Sequence, residues 1–467
     1  MKLVNSVIYK VMNKIRIHFL GASGTVTGSK FYLETSEVNV MIDCGMFQGL
    51  KELREINWKP LPIDASQIDF VLLTHGHLDH TGYLPRLLKE GFKGKIIGTA
   101  PTLAITKIIL TDSGKIQEEQ AQAANEDGYS KHTPAEPFYS VKDAERTFTF
   151  FQTCEKDSWI SLSQNVRAKF KFNGHIIGAT FIELEAFGKL YVFSGDVGRT
   201  TDVLLSPPER PKWADYLFLE STYGNKLHPE EDVPSILSTL IKRTIQERGN
   251  LIIPSFAVER LQSLMYTLWM LFKKNKIPNI PIFIDSPMGS NVLSVFERFP
   301  AWHTLSIEEY HAMVNHFNII SSYADTWKTI DDPRPKIIIA GSGMVTGGRV
   351  LTYMQQMLKR TTTHILLVGF QAEGTRGRQL LDGAHELKIF GKYYPVNAKV
   401  HILESLSAHA DQKELLHWID SIENIPEKVF LVHGEPGALD TFRVKLKDVK
   451  GWECHIPKQY ETMEIVC

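Results

Sequence analysis

The chain has 467 residues, 43% hydrophobic and 22% charged, with 32 Gly and 22 Pro. This composition excludes disordered, collagenous and coiled-coil chains and allows two or three domains. Lys and Arg number 52 against 53 Asp and Glu, a net charge of -1, so bulk positive charge cannot hold a nucleic acid and any polyanion must be gripped at a local site.

At the start of the chain, Lys10, Lys14 and Arg16 interrupt the apolar stretch and break any signal-peptide pattern. Met12 precedes the first strand-like run, and residues 1–11 are expected to be a dispensable extension. Short apolar runs that read as strands follow at 15–20, 39–42, 70–73, 95–98, 190–193, 216–219, 251–253, 281–284, 336–340, 365–368, 400–403 and 429–432. Amphipathic stretches predict helices over 83–89, 102–125, 234–246, 258–273, 350–358 and 412–419. The 261–272 stretch reads as core. Strands alternating with helices predict an α/β chain with largely parallel pairing in its middle.

Two composition shifts suggest boundaries. Pro207, Pro208 and Pro211 cluster where regular structure cannot continue, and 392–397 reads as a turn between two strands. They divide the chain into 1–210, a βα block at 211–395, and 396–467. The four cysteines, Cys44, Cys154, Cys454 and Cys467, lack CxxC spacing. That excludes a thiolate zinc ribbon and suits a reducing cytoplasm. No apolar run approaches the roughly 20 residues of a membrane span.

The densest chemical signal is the run from Thr74 to His80, THGHLDH, between the strand at 70–73 and the helix at 83. His75 and His77, two apart in a loop, can turn to one ion, while Asp79 and His80 point toward another. Imidazole and carboxylate without thiolate suit Zn²⁺ or a similar divalent ion in an open, catalytic site. One loop cannot close two coordination spheres. His175 and Asp196, beside glycines at strand ends, are the candidates to complete them, although each alone would read as an ordinary turn residue.

Asp43 in MIDCG, the HGHLDH run, His175 and Asp196 resemble the four successive motifs of the metallo-β-lactamase superfamily. The resemblance implies an αββα sandwich with two zinc ions. His75, His77 and His175 would hold one; Asp79 and His80 would hold the other; Asp196 would bridge them, and Asp43 would orient the ligands from behind. Three later segments, Glu220-Ser-Thr-Tyr-Gly, Ser405 to Asp411 around His409, and Val432-His433-Gly-Glu, resemble motifs A, B and C of the β-CASP nucleases. In those proteins a β-CASP domain, a largely parallel sheet flanked by helices, is inserted into the metallo-β-lactamase domain, as the 211–395 block requires.

Under this resemblance His433 completes the second ion. A His at that place is found in RNA-acting members, while the DNA-repair branch tends to carry Val. His409 would be the general acid with Glu220 orienting it, and Asp79, Glu220 and His409 form the expected catalytic set. Two dications less two carboxylates and a bridging hydroxide leave one net positive charge, enough for a phosphodiester. The hydroxide would attack phosphorus, leaving 5′-phosphate and 3′-hydroxyl ends. Ser342, Gly343 and Arg349 in one Gly-rich segment, Arg376 and Arg378 in another, and Ser407 are expected phosphate contacts; the first loop, 23–27, is a weaker candidate.

The expected activity is thus a zinc-dependent ribonuclease on single-stranded RNA, endonucleolytic, 5′-to-3′ exonucleolytic or both, working from the cleft between the two domains. Mn²⁺ is the alternative ion, and a homodimer is implied by the resemblance alone. Two other readings stand beside it. One is a small-molecule hydrolase for a thioester, lactone or cyclic phosphate; the other is a non-catalytic RNA-binding subunit.

Overall fold

The computed structural model describes residues 14–127, 133–369 and 371–466; residues 1–11 and Cys467 lie outside them. Two seven-stranded sheets pack face to face. The first runs Thr462–Val466, Lys14–Phe19, Phe31–Glu34, Val40–Ile42, Phe70–Leu72, Lys95–Thr99 and Phe151–Cys154. The second runs Cys454–His455, Lys428–Val432, Tyr216–Glu220, Lys189–Phe193, Thr180–Ala186, Val166–Phe172 and Ile160–Ser161.

Alternation sets the layers. In Lys14–Phe19 the residues Ile15, Ile17 and Phe19 are buried while Lys14 and Arg16 face out. Their apolar faces meet those of the second sheet in a core of stacked aromatics: the Phe193 and Phe218 rings lie 4.1 Å apart and those of Phe218 and Phe430 4.7 Å apart. The outer face of the first sheet is covered by helices Leu84–Lys89 and Ala100–Glu126, and that of the second by Gln412–Ile419 and Pro436–Lys450. The result is the expected αββα sandwich.

A third sheet, in the order Asn318–Ile319, Ile282–Asp285, Lys336–Ala340, Asn250–Pro254, Thr363–Val368 and Lys399–Leu403, is parallel in every pairing. Its central strands are buried on both faces, as in Lys336–Ala340, because the helices Val233–Gln246, Arg260–Lys273 and Val350–Met357 flank it. The helix Arg260–Lys273 is core, with Leu261, Leu264, Met265 and Leu268 buried.

Strand pairing corrects both expected boundaries. Tyr216–Glu220, assigned to the inserted block, pairs in parallel with Lys189–Phe193 and Lys428–Val432 of the sandwich. Lys399–Leu403, assigned to the returning part, is instead the edge strand of the third sheet beside Thr363–Val368. The proline cluster is a real break, but the expected turn at 392–397 is not: Lys392–Pro395 is a strand paired antiparallel with Glu386–Ile389. The chain crosses between domains just after Glu220 and just after Leu403.

Candidate metal centre

The site forms where strands of both sandwich sheets end. Phe70–Leu72 delivers the HGHLDH run, Val40–Ile42 delivers Asp43, Lys189–Phe193 delivers Asp196, Tyr216–Glu220 ends on Glu220, and Lys428–Val432 delivers His433. Close packing of the loops demands glycine at Gly45, where a Cβ would lie 1.5 Å from the Asp79 carbonyl oxygen. Gly198 is similarly constrained by Gly174, whose carbonyl carbon would be 2.0 Å from the added atom. Asn173 ties two ligand loops together by donating from Nδ2 to the main-chain oxygens of Ser194 (2.7 Å) and Asp196 (2.6 Å).

All seven ligands expected from sequence converge. The donor atoms of His75, His77, His175 and Asp196 fall within 4.8 Å of one another, and so do those of Asp79, His80, Asp196 and His433. Asp196 belongs to both groups. Its Oδ2 lies 3.4 Å from His75 Nε2 and 3.5 Å from His175 Nε2, while its Oδ1 lies 3.3 Å from His80 Nε2. That Oδ1 is buried and has no hydrogen-bond partner, an arrangement costly in a folded protein unless a cation takes the oxygen's lone pairs. The donor set of imidazoles and carboxylates fits a hard to borderline divalent ion.

Outer contacts fix which nitrogen of each ring faces inward. Asp43 accepts from His80 Nδ1 at 2.7 Å and from the Thr74 main-chain N–H at 2.8 Å. His175 Nδ1 lies 3.2 Å from the Ala408 carbonyl oxygen, and His433 Nδ1 lies 3.1 Å from Thr222 Oγ1. Asp43 and His433 both hold positive φ, 56° and 51°, strained conformations of the kind that gather at functional sites.

Burial pushes His75 and His175 well below the usual imidazole range and His77 down to about 4. These rings are therefore neutral, with lone pairs to give. His80 goes the other way: burial opposes its charge, but Asp196, Asp43 and Asp79 outweigh it.

His409 stands beside this cluster. Its Nδ1 is 3.3 Å from Glu220 Oε1, and its Nε2 is 3.9 Å from Asp196 Oδ2. Glu220 is fully buried and each oxygen accepts a main-chain N–H, from Val197 at 2.9 Å and Thr222 at 3.0 Å. Burial pulls the His409 ring down, yet Glu220 and Asp196 overcome it and hold the ring at about 9.

The expected phosphate contacts fare unevenly. Arg349 is an internal strut, donating to Asp285 Oδ1 (3.1 Å), Thr326 Oγ1 (2.6 Å) and the Ser322 carbonyl (2.9 Å). Arg376 donates to the carbonyls of Lys388 (2.6 Å) and Thr346 (3.1 Å). Nη1 of Arg349, and Nε and Nη1 of Arg376, thus already donate within the protein. Arg378 is exposed and pairs with Asp382 one turn on. Ser342 Oγ accepts from Thr346 and Gly347 N–H groups, and Gly343 lies where a Cβ would collide with the Phe256 ring. Ser407 is buried and accepts from the His409 N–H. The 23–27 loop follows Ala22, whose carbonyl accepts from His433 N at 2.7 Å.

Four residues at the centre escaped the sequence reading. Thr74 and Thr222 hold ligand rings, His228 touches the His409 loop, and Lys30 is a buried ammonium donating to the carbonyls of Gly28 (3.1 Å) and Gly45. Thr74 and Thr222 adjoin quoted motifs, which was the available signal. Lys30 carries none.

An αββα sandwich with paired His/Asp ligand groups at one strand-end edge defines the class: a metallo-hydrolase of the metallo-β-lactamase superfamily. Models of the metallo-beta-lactamase superfamily, the Beta-Casp domain and the Zn-dependent metallo-hydrolase RNA specificity domain match residues 24–142, 261–380 and 393–457. Ribonuclease TTHA0252 of Thermus thermophilus is 32% identical over 91% of this chain and 94% of its own length. Transcription termination factor FttA of Methanocaldococcus jannaschii is 27% identical over 97% of this chain and 72% of its own. A protein of unknown function from Enterococcus faecalis V583 shares the fold, with TM-score 0.54 and 14% identity over 97% of this chain and all of its own. The chain belongs to the β-CASP family of the metallo-β-lactamase superfamily, and is a metal-dependent hydrolase.

Proposed function

We propose that this protein is a zinc-dependent ribonuclease that hydrolyses phosphodiester bonds of single-stranded RNA. The observation that carries the reading is Asp196: its two oxygens face two separate groups of nitrogen and oxygen donors, and beside them stands an imidazole braced by a buried glutamate. His75, His77, His175 and Asp196 would hold one zinc ion, and Asp79, His80, Asp196 and His433 the second. Bound there, the ions supply Lewis acidity that activates water and charge that neutralises a phosphodiester.

The chain's own residues do the rest. Asp43 and Thr222 hold His80 and His433 by their Nδ1 atoms and keep the Nε2 lone pairs inward. Glu220 takes the Nδ1–H of His409, so the Nε2–H faces the centre. With its ring held at about 9, His409 is protonated at neutral pH, and nearby cations bring that value back toward neutrality. It can then give the proton to the departing 3′-oxygen. Backbone groups of 341–344, together with Arg378 and Ser407, are proposed to contact the RNA phosphates.

The names of the relatives, a ribonuclease and a transcription termination factor, and the RNA specificity description of the matched C-terminal model favour RNA over a small-molecule ester. A cytoplasmic setting suits the free thiols of Cys44, Cys154 and Cys454. Among the described residues no helix is long and apolar enough to cross a membrane.

The test uses 5′-labelled single-stranded RNA and matched DNA, each with 5′-hydroxyl or 5′-phosphate, incubated with zinc-loaded protein. RNA cleavage that a chelator abolishes is expected; mononucleotides report exonuclease action and internal fragments endonuclease action. Cleavage of DNA alone would overturn the assignment to RNA.

A further inference from the structure

His409 lies on the segment 404–411, along which the chain returns from the third sheet to the sandwich. The outgoing segment, 221–231, runs beside it, and the two are laced together. Ser405 N–H donates to Glu231 Oε2 (2.8 Å), Gln412 N–H to the Lys226 carbonyl (3.0 Å) and Gln412 Nε2 to the Gly224 carbonyl (2.6 Å).

His228 is the lace nearest the chemistry. Its main-chain N–H donates to Asp411 Oδ2 at 2.9 Å, and its Nε2 lies 2.9 Å from the main-chain oxygen of His409 itself. Its ring packs 4.9 Å from that of Tyr223, which in turn lies 6.2 Å from the His409 ring. On the other side, His409 bridges to Gly198, and Ala410 N–H donates to the Val197 carbonyl at 2.8 Å. The backbone of His409 is thus held between the sandwich and the outgoing crossing.

We propose that His228 is a positioning residue for His409. Its Nε2–H donates to the His409 carbonyl and fixes the backbone from which the imidazole reaches both Glu220 and the Asp196 edge. A displacement of about 1 Å in a reacting group can cost on the order of a hundredfold in rate, and the 3.3 Å contact to Glu220 leaves little slack. The main-chain laces and those of Gln412 and Glu231 do not depend on the His228 ring, so the segments stay paired without it. The inference rests on the reading of His409 as proton donor.

The experiment is single-turnover cleavage of single-stranded RNA by the zinc-loaded full chain, with His228→Ala, His228→Gln, His409→Ala and the His228→Ala/His409→Ala double variant. His228→Ala should lower kcat on the order of tenfold to a hundredfold, leaving KM and Tm near wild type. His228→Gln, whose amide nitrogen is as many bonds from Cα as Nε2, should restore most of it. In the His409→Ala background, His228→Ala should cost nothing more, because residues acting through one group are not additive. An unchanged kcat, a loss that Gln does not restore, or an equal loss in the His409→Ala background would overturn the role of His228. Wild-type RNA cleavage by His409→Ala would instead overturn the proton-donor reading.

Discussion

Asp196 concentrates the demands of the whole centre on one side chain: a buried carboxylate with one oxygen toward His75 and His175 and the other, without a hydrogen-bond partner, toward His80. Asp196→Ala should therefore abolish stoichiometric zinc binding at both groups, read as metal content after gel filtration. Asp43→Asn tests the shell behind it. The amide no longer matches the His80 Nδ1–H and two Thr74 donors together, and zinc affinity should fall about tenfold to a hundredfold in a competition titration.

At this scale the sequence was informative where several donors crowd into one loop, as in HGHLDH. It was also informative for His175, Asp196, Glu220, His409 and His433 once the family motifs were seen. It was silent on Lys30, whose role as a buried brace for the Gly28 and Gly45 loops exists only after folding. It did not show the internal partners of Arg349 and Arg376: arginine beside glycine looks the same whether its partner is a phosphate or an oxygen of its own chain.

Strands and helices with strong apolar periodicity were readable; the helix at 412–419 is capped at Asp411 with Glu414 closing a capping box. The strands Val166–Phe172 and Thr180–Ala186 were missed. Outward-facing Arg167, Lys169 and Lys171 dilute the first, and Glu183 and Glu185 dilute the second, although Gly188 marks the turn that follows it. The helix Pro436–Lys450 was missed because its buried stripe is narrow, only Ala438, Leu439, Phe442 and Leu446.

Packing predictions belong to these elements. Phe218 is buried at the centre of the aromatic stack, and Phe218→Ala should cost about 3–5 kcal/mol in denaturant unfolding. Ahead of the helix Arg260–Lys273, Glu259 is buried with Oε2 unpartnered and φ of 63°. Burial, then the charge of Asp202, raises its pKa well above the usual carboxyl value. A carboxyl raised on folding favours the folded state below its unfolded value, and that advantage is lost as pH rises through the folded value. Glu259→Gln should consequently raise Tm at pH 8 and give a smaller gain near pH 4.5, checked by thermal melts at both.

Across the whole molecule, the parallel sheet is an insertion whose two chain crossings leave from Glu220 and return through His409, so the proposed proton donor and its brace sit at the two connections between domains. Composition could not reveal where those crossings lie, because the proline cluster is a break away from them and the tyrosine-rich segment Lys392–Pro395 is a strand of a small hairpin. Hydrogen-bonded register alone assigns Tyr216–Glu220 to the sandwich and Lys399–Leu403 to the insertion. The near-zero net charge means that affinity for RNA has to come from the metal centre and its rim. Chelator-stripped protein should bind RNA far more weakly than the zinc form in a filter-binding assay.

The most direct test of the account is to titrate zinc into stripped protein while following bound metal and RNA cleavage together. Two equivalents per chain, with cleavage rising as the second binds, is the predicted result. Saturation at one equivalent or none, or cleavage indifferent to zinc, would contradict it.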